Sequence, residues 1–296
     1  MNIDIKGLSK VYPNGFAAIK DINLEIGSGM FGLLGPNGAG KSSFMRILVT
    51  VQRSTSGTIL MDGLDINESR QKIRSLIGYL PQDFTFFSKL KTWEFLDYAA
   101  KLSTTLRRKE RYKRVDELLD QVGLLDVRER MANKLSGGMK RRLGIAQALI
   151  ADPKLLVIDE PTTGLDPEER IRFRNILSDL SQRDVTIILS THIVGDISST
   201  CNNMAMLNKG EVAFKGSPEG MIERVRGHVW QVTLDNDEFN QIKLKYSVVS
   251  TIPTEGKWEV QVIANEQPHP RATNANPNLE HAYVYFMENE LGVSLV

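Results

Sequence analysis

Cysteine is nearly absent from this sequence, and its absence excludes two kinds of site. Cys201 is the single cysteine among 296 residues, so neither an intrachain disulfide nor a cysteine-based tetrahedral metal site can form. A chain without disulfides is typical of a reducing compartment. We therefore expect a cytosolic environment.

Long hydrophobic runs are also missing. A membrane-spanning helix needs about 20 consecutive apolar residues, whereas apolar runs such as Leu155–Ile158 are far shorter. The first ten residues carry Asp4 and Lys6 and lack an apolar core, so we expect no signal peptide. Any role at a membrane would then depend on a partner.

The charge has no strong excess of either sign. The 37 Lys and Arg residues nearly balance 36 Asp and Glu residues, which leaves a formal net charge of +1. A dedicated nucleic-acid-binding protein is usually strongly basic, so we expect no nucleic-acid partner. The length and the 41% of hydrophobic residues allow one large domain with an appendage, or two domains.

The apolar pattern predicts an α/β protein. Alternating apolar residues at 3–5 and 22–26 indicate half-buried strands. Continuous apolar runs at Met30–Leu34, Leu155–Ile158 and Val185–Leu189 are typical of strands buried on both faces of a parallel sheet. Residues 88–151 have helical spacing, with a helix end at Gly123.

A change of pattern near Gly216–Gly227 predicts a domain boundary. Strand-like segments at 229–234, 246–251 and 258–263 precede a loop over 265–278 and a helix over 279–290. We expect a first domain over 1–220, with its helical subdomain at about 88–151, and a small α+β accessory domain over 221–296. No chemical motif indicates what this second domain does.

A glycine-rich segment directly follows Met30–Leu34. It matches the pattern G-x-x-x-x-G-K-[ST] and consists of Gly35, Pro36, Asn37, Gly38, Ala39, Gly40, Lys41 and Ser42. The glycines let backbone N–H groups converge on phosphate oxygens, and the helix that begins there favours the same anion. Lys41 would reach the β- and γ-phosphates, and Ser42 would bind Mg²⁺. This motif alone leaves a nucleotide kinase or a GTPase open.

Two adjacent acidic residues follow the run Leu155–Ile158. Asp159, at the carboxyl end of a buried strand, is suited to reach the metal through its water shell. Glu160 would point the other way and accept a proton from the attacking water. Downstream of a phosphate loop, this pair predicts a site for nucleotide hydrolysis.

One segment narrows the class of nucleotide-binding protein. Leu135-Ser136-Gly137-Gly138-Met139, followed by Lys140-Arg141-Arg142, resembles the LSGGQ signature of the ABC ATPase family. A serine and two glycines at the start of a helix suit a second anion site. The resemblance implies that this segment caps ATP bound to the opposite subunit, and hence a head-to-tail dimer around two ATP molecules.

Further positions match the family in order, from Ile3 to Gly216. The resemblance implies that Tyr12 stacks on adenine, that Gln82 senses metal and attacking water, and that His192 contacts the γ-phosphate. It also implies that Asp166 lies in the D-loop, which crosses the dimer interface. Met139 replaces the usual glutamine, and Ser43 stands in the phosphate loop where many members have threonine. Neither change removes a group that hydrolysis needs.

We therefore interpret the chain as the ATP-binding and ATP-hydrolysing subunit of an ABC transporter, with ATP and Mg²⁺ as cofactors. The resemblance implies a P-loop NTPase core with a mainly parallel sheet, an N-terminal antiparallel β subdomain and a helical signature subdomain. It implies two kinds of partner, a second copy or a homologous ATPase subunit and integral membrane subunits, and a location at the cytoplasmic face of the membrane. The run from Met139 to Arg142 and the closing segment Asn278–Tyr283 resemble the export branch of the family.

Three aromatic residues follow Gln82. Phe84, Phe86 and Phe87 would form an exposed apolar patch that receives a short helix from the membrane subunit. Alternatively, these rings pack into the helical region of the same chain.

Two other functions are considered. A soluble ABC ATPase that remodels ribosome or nucleic-acid complexes usually has two cassettes or a long coiled-coil insertion, and this sequence shows one cassette and no such insertion. A binding-only ATPase would have lost Lys41, Glu160 or His192, and all three are present.

Overall fold

The computed structural model describes residues 1–84 and 89–292. These residues form two compact units. Unit one comprises Met1–Asp196 and Thr200–Lys215, and unit two comprises Ile197–Ser199 and the chain from Gly216 onward. Within the described ranges, no helix is long and apolar enough to cross a bilayer.

The strands of unit one form two sheets. They are β1 (Ile3–Val11), β2 (Ala17–Ile26), β3 (Met30–Leu34), β4 (Ser56–Met61), β5 (Leu64–Asp65), β6 (Ile77–Leu80), β7 (Leu155–Asp159), β8 (Thr186–Thr191), β9 (Asn203–Asn208) and β10 (Glu211–Gly216). The first sheet has the order β2-β1-β4-β5 with antiparallel pairs, which confirms the predicted antiparallel β subdomain. Its alternating apolar residues face inward, since side chains along a strand point to opposite faces.

The second sheet has the order β10-β9-β3-β8-β7-β6. The pairs β9/β3, β3/β8, β8/β7 and β7/β6 are parallel, and every residue of β3, β7 and β8 is buried. This confirms the prediction from the continuous apolar runs. The carboxyl ends of parallel strands meet at one edge, where open α/β sheets bind their ligands.

The helices that follow in chain order are α1 (Lys41–Leu48), α2 (Arg70–Arg74), α3 (Thr92–Ser103), α4 (Arg108–Gln121), α5 (Gly137–Ala148), α6 (Pro167–Ser181) and α7 (Val194–Ser198). Helix α3 packs against α4 and α5, which confirms the predicted helical subdomain. Helix α4 ends at Gln121, two residues before Gly123. Gly123 has a φ of +64°, a left-handed conformation that ends a right-handed helix. The predicted helix end is therefore correct.

The core of unit one joins the two sheets through α1. One hydrophobic cluster includes Ile5 and Ile22 of the first sheet, Phe44 of α1, and Val157 and Ile188 of the second sheet. Fully burying one such side chain contributes about 1.5–3 kcal/mol. This packing holds the start of α1, and with it the phosphate loop, at the carboxyl end of β3.

Unit two is a small α+β unit, as predicted. It contains α8 (Pro218–Glu223), β11 (Val229–Leu234), α9 (Asn236–Lys243), β12 (Ser247–Thr254), β13 (Lys257–Ile263), β14 (Thr273–Asn274) and α10 (Leu279–Tyr285), which continues as a π-helical turn over Phe286–Glu290. The sheet has the order β12-β13-β11-β14 with antiparallel pairs. On one face α9 packs its Ile242 against Val232 and Val260, and the rings of Phe239 and Trp258 stack at 5.2 Å.

In unit two, the predicted loop and the predicted closing helix both differ from the structure. The predicted loop over 265–278 contains β14, whose Thr273 pairs with Gln231. Two residues are too few for periodicity to reveal a strand. The predicted helix over 279–290 changes to π-helical hydrogen bonding at Phe286.

Candidate active site

The phosphate loop depends on its glycines. Gly40, the residue before α1, has a φ of +105°, and a Cβ there would lie 2.5 Å from the carbonyl oxygen of Ala18. Only glycine fits such a position. The loop folds around Lys41, whose Nζ donates to the carbonyl oxygens of Gly35 at 2.7 Å and Pro36 at 3.2 Å. The Lys41 ammonium is thereby held inside the loop that surrounds it.

A cavity of about 400 Å³ lies against this loop. It is lined by Phe16, Ala18, Asn37, Gly38, Ala39, Gly40, Lys41, Ser42, Ser43, Gln82 and Glu160. The structure therefore brings Gln82 and Glu160, predicted from distant parts of the sequence, to the phosphate loop. A helix N-terminus, a lysine and two hydroxyl groups form a donor set that suits a nucleotide's phosphates.

Sequence reasoning missed Phe16 as a wall of this cavity. Phe16 is 56% exposed, and its ring stacks on that of Tyr12 with an interplanar angle of 22° and a centroid distance of 6.4 Å. An aromatic residue directly after the turn-forming Pro13-Asn14-Gly15 was the available signal.

Tyr12 is oriented by its hydroxyl group. The Tyr12 Oη lies 3.0 Å from Ser43 Oγ and donates to Gln52 Oε1 at 3.3 Å, and the bond with Ser43 lowers the pKa of the Tyr12 phenol. Within the described residues, the cavity wall includes Phe16 and leaves out Tyr12. The adenine-stacking role of Tyr12 stays a prediction.

Glu160 is the centre of the site's polar contacts. Its Oε1 lies 3.2 Å from Lys41 Nζ, and its Oε2 accepts a hydrogen bond from Thr163 Oγ1 at 3.2 Å and contacts His192 Nδ1. Both side chains of the Lys41–Glu160 ion pair are only 5% exposed. The segments that follow β3, β7 and β8 thus each contribute a residue to the contacts of one carboxylate.

The backbone of Glu160 is strained. Its φ is +49°, a left-handed conformation that costs a non-glycine residue about 1–3 kcal/mol. The Glu160 N–H donates to Ser190 O at 3.1 Å and to Ser190 Oγ at 3.2 Å. Such strain persists where the surroundings determine the conformation, and it is concentrated at functional sites.

Asp159 is not among the described residues that line the cavity. Its side chain is 1% exposed and accepts a hydrogen bond from the Ser190 hydroxyl. Ser42 and Gln82 line the cavity itself. Together these side chains offer the oxygen donors that Mg²⁺ prefers. Their roles as metal-binding groups, with Asp159 acting through the metal's water shell, stay predictions.

The signature segment begins helix α5. Ser136 Oγ accepts from Met139 N at 3.2 Å, so Ser136 is the N-cap of this helix, while Leu135 is buried and Gly137 is exposed. Within the described residues, neither Ser136 nor the two glycines line the cavity at the phosphate loop. Gly137 instead lines a neighbouring cavity together with Gln82, which also lines the cavity at the phosphate loop.

An ion pair missed by sequence reasoning supports the signature helix. Arg142 binds both carboxylate oxygens of Glu169, at 3.1 and 3.2 Å, and also the carbonyl oxygens of Val122 and Gly123. Glu169 N donates in turn to Asp166, the N-cap of α6. The predicted D-loop residue Asp166 and the signature helix are thus tied to one glutamate.

Comparison with known proteins identifies the family. A sequence profile described as "ABC transporter" matches residues 19–163. The chain is 34% identical over 233 residues to the uncharacterized ABC transporter ATP-binding protein YxlF of Bacillus subtilis, with 78% of this chain and 76% of that protein covered. The chain belongs to the family of ABC transporter ATP-binding proteins. The predicted family, a family of ATPases, is confirmed.

Other relatives extend beyond the matched region, and some of them are named for methionine import. The chain is 38% identical over 224 residues to the methionine import ATP-binding protein MetN 2 of Yersinia pestis, covering 73% of this chain and 68% of that protein. It is 37% identical over 219 residues to an uncharacterized ABC transporter ATP-binding protein of Synechocystis, where 71% of this chain aligns with 61% of the relative. The match thus spans less than two thirds of that relative's length.

Solved structures confirm the predicted fold class. The dimeric structure of MJ0796, a bacterial ABC transporter cassette, aligns with a TM-score of 0.67 and 28% identity over 73% of this chain and 98% of that chain. Another structure of MJ0796 represents a post-hydrolysis state bound to ADP and Pi. The structure of cbiO1 from Clostridium perfringens aligns with a TM-score of 0.69 and 29% identity over 82% and 94% of the two chains.

Proposed function

We propose that this member of the family binds and hydrolyses ATP as the energy-supplying subunit of an ABC transporter. One observation carries the proposal. In a cavity walled by the phosphate loop, the Glu160 carboxylate contacts Lys41, Thr163 and His192. A carboxylate beside a phosphate-binding lysine is placed to act as a general base for water attacking the terminal phosphate.

Each residue has a definite task in this mechanism. When bound, ATP supplies the phosphoryl group. Ser42 and Gln82 would hold Mg²⁺, with Asp159 acting through the metal's water shell, and the ion would neutralise charge on the phosphates. The Lys41 ammonium would exchange its ion pair with Glu160 for contacts with the phosphates. Glu160 then accepts the proton of the attacking water. His192, which contacts Glu160, would reach the γ-phosphate, Thr163 would orient the Glu160 carboxylate, and Phe16 or Tyr12 would stack on adenine.

A second ATPase subunit completes the site. Ser136, Gly137 and Gly138 begin α5 but do not contribute to the described cavity wall of their own chain. The relative MJ0796 was solved as a dimer. We propose a head-to-tail dimer in which these residues close over ATP held by the partner, with Asp166 near the interface. Light scattering of Glu160→Gln with ATP should show the dimer, and monomers at all ATP concentrations would contradict it.

Membrane subunits are the other proposed partner, at the cytoplasmic face of the membrane. Among the three aromatic residues predicted to receive a membrane-subunit helix, Phe84 packs edge-on against Phe95 of α3 at 6.0 Å, which is the alternative arrangement. Phe86 and Phe87 lie outside the described residues, so their docking role stays a prediction. We propose residues 1–220 as the ATPase domain and 221–296 as an accessory domain.

Export is the proposed direction of transport. It rests on the sequence from Met139 to Arg142 and on Asn278–Tyr283, where the structure has α10 begin at an Asn278 cap. Relatives such as MetN 2 are named for import. Transport assays with right-side-out and inside-out vesicles containing the whole complex would separate the two directions.

The function is tested by isolating the subunit with its partners from the membranes of its own cell. We expect a multi-span membrane protein to accompany it and to change its rate of ATP hydrolysis. A matched Lys41→Ala preparation should bring down the same partner and lack hydrolysis. Recovery of ribosomal or DNA-bound proteins with an active ATPase would retain the site and overturn the transporter.

A further inference from the structure

Arg141 joins two strand ends at the active site. Its Nη1 donates to the carbonyl oxygen of Pro81 at 3.1 Å, and its Nη2 donates to the carbonyl oxygen of Glu160 at 3.3 Å. Pro81 follows β6, and Glu160 follows the neighbouring strand β7. One guanidinium group therefore connects the backbone directly before Gln82 to the backbone of the predicted general base.

The contact to Glu160 acts at a strained position. Ser190 binds the N–H of Glu160, and Arg141 binds its carbonyl group, so both sides of this left-handed residue are held. The φ of Glu160 determines where its carboxylate lies relative to Lys41 and His192. A group that fixes this backbone therefore also fixes the reacting carboxylate.

The helix that carries Arg141 is placed with little freedom. One turn further on, a Cβ at Gly144 would lie 2.6 Å from Leu80 Cδ1 and 2.9 Å from Phe84 Cε1, so α5 packs closely on the end of β6. Burial lowers the pKa of Arg141, while the charges of Asp83, Asp159 and Glu160 raise it. An arginine retains its charge under such conditions, and its planar fork suits two acceptors.

We propose that Arg141 is a positioning residue for hydrolysis: it holds Glu160 in its strained conformation and ties that residue to the Gln82 loop. This inference rests on the proposed function. It predicts a loss in turnover with little change in ATP binding, because the phosphate loop itself does not contact Arg141 in the hydrogen bonds described.

The test compares three variants of the full chain. Arg141→Ala removes both bonds, and Arg141→Lys retains the charge with a single ammonium in place of the fork. Arg114→Ala is the matched control, since Arg114 Nη2 also binds a backbone carbonyl, that of Leu149 at the other end of α5, at 2.9 Å. For each protein one measures turnover, affinity for a fluorescent ATP analogue, melting temperature, and hydrogen exchange of peptides covering 77–84 and 157–164.

We expect Arg141→Ala to lose at least about tenfold in turnover, since a misplacement of about 1 Å can cost about 10²-fold. ATP affinity should stay within about twofold, exchange should accelerate in both peptides, and Arg141→Lys should be intermediate. Arg114→Ala should keep its turnover and the exchange of both peptides.

Three results would overturn the inference. The first is a turnover of Arg141→Ala within about twofold of the wild type. The second is an equal loss of turnover in Arg114→Ala that follows its melting temperature. The third is unchanged hydrogen exchange of both peptides in Arg141→Ala. If the wild-type chain with its partners does not hydrolyse ATP, the proposed function fails instead. The exchange data then still decide whether Arg141 holds Glu160.

Discussion

Replacing Glu160 with glutamine isolates the charge at the centre of the site. The substitution preserves the shape of the side chain and an oxygen that can accept from Thr163 Oγ1. It removes the negative charge that lies 3.2 Å from Lys41 Nζ. It also removes the proton acceptor that the proposed mechanism requires.

The magnitude follows from these two losses. General-base catalysis contributes about 10²–10⁴-fold, so turnover should fall by at least about 10²-fold, which is about 2.7 kcal/mol in activation free energy. For the ion pair, two unit charges at this separation attract by about 5 kcal/mol at an effective dielectric constant of about 20. Desolvation offsets much of that attraction. ATP must compete with Glu160 for Lys41, so the variant should bind ATP as tightly as the wild type or more tightly.

The assay pairs phosphate release with equilibrium binding of a fluorescent ATP analogue. Glu168→Gln is the matched control, because it makes the same chemical change on α6 at a side chain that is 75% exposed. We expect the control to keep its turnover. Turnover of Glu160→Gln within about threefold of the wild type, with a normal melting temperature, would refute the general-base assignment.

Three further predictions concern separate parts of the molecule. Phe16→Ala should weaken binding of the ATP analogue by about fivefold or more, since stacking on a base is worth about 1–3 kcal/mol; a loss on Tyr12→Ala alone would assign the stacking to Tyr12. Gly138→Ala should destabilise the chain by about 1–3 kcal/mol in a thermal melt, because the added Cβ would lie 2.3 Å from Glu169 Oε2. Gly137→Ala is the control and should not lower stability in this way, because nothing lies within 4 Å of its Cβ. Burial lowers the pKa of His281 below its ordinary value of 6.5, so the unfolded state takes up a proton before the folded state as the pH falls. The free energy of unfolding should therefore decrease below about pH 6.5. A profile that is flat, or that persists in His281→Gln, would contradict this.

The parts of the fold predicted correctly are those with a local signal. Continuous apolar runs revealed β3, β7 and β8, because strands buried on both faces leave no position for polar residues. Gly123 marked the end of α4 because a left-handed residue is a property of one position. The phosphate loop was evident for the same reason, since glycine and lysine spacing encodes its geometry.

The missed features depend on contacts between distant segments. Arg142 and Glu169 are 27 residues apart, and nothing near either residue predicts that they pair. The strain at Glu160 is equally invisible, because an acid after a strand has no intrinsic preference for φ of +49°. Phe16 could be found only as an exposed aromatic next to a turn, a signal that many surface residues share.

The contacts of α5 connect the signature segment with Glu160, the proposed general base. The helix begins at Ser136, which in the proposed dimer meets the partner's ATP, and its second turn carries Arg141, which binds the backbone of Glu160 in its own chain. The close packing of Gly144 on Leu80 and Phe84 limits tilting of the helix relative to the end of β6. A shift of α5 on closure would therefore move the Pro81 and Glu160 carbonyl groups together. In the proposed dimer, the Glu160 backbone of each chain would therefore respond to the ATP that the signature of the same chain meets on the partner, and Arg141 would transmit that response.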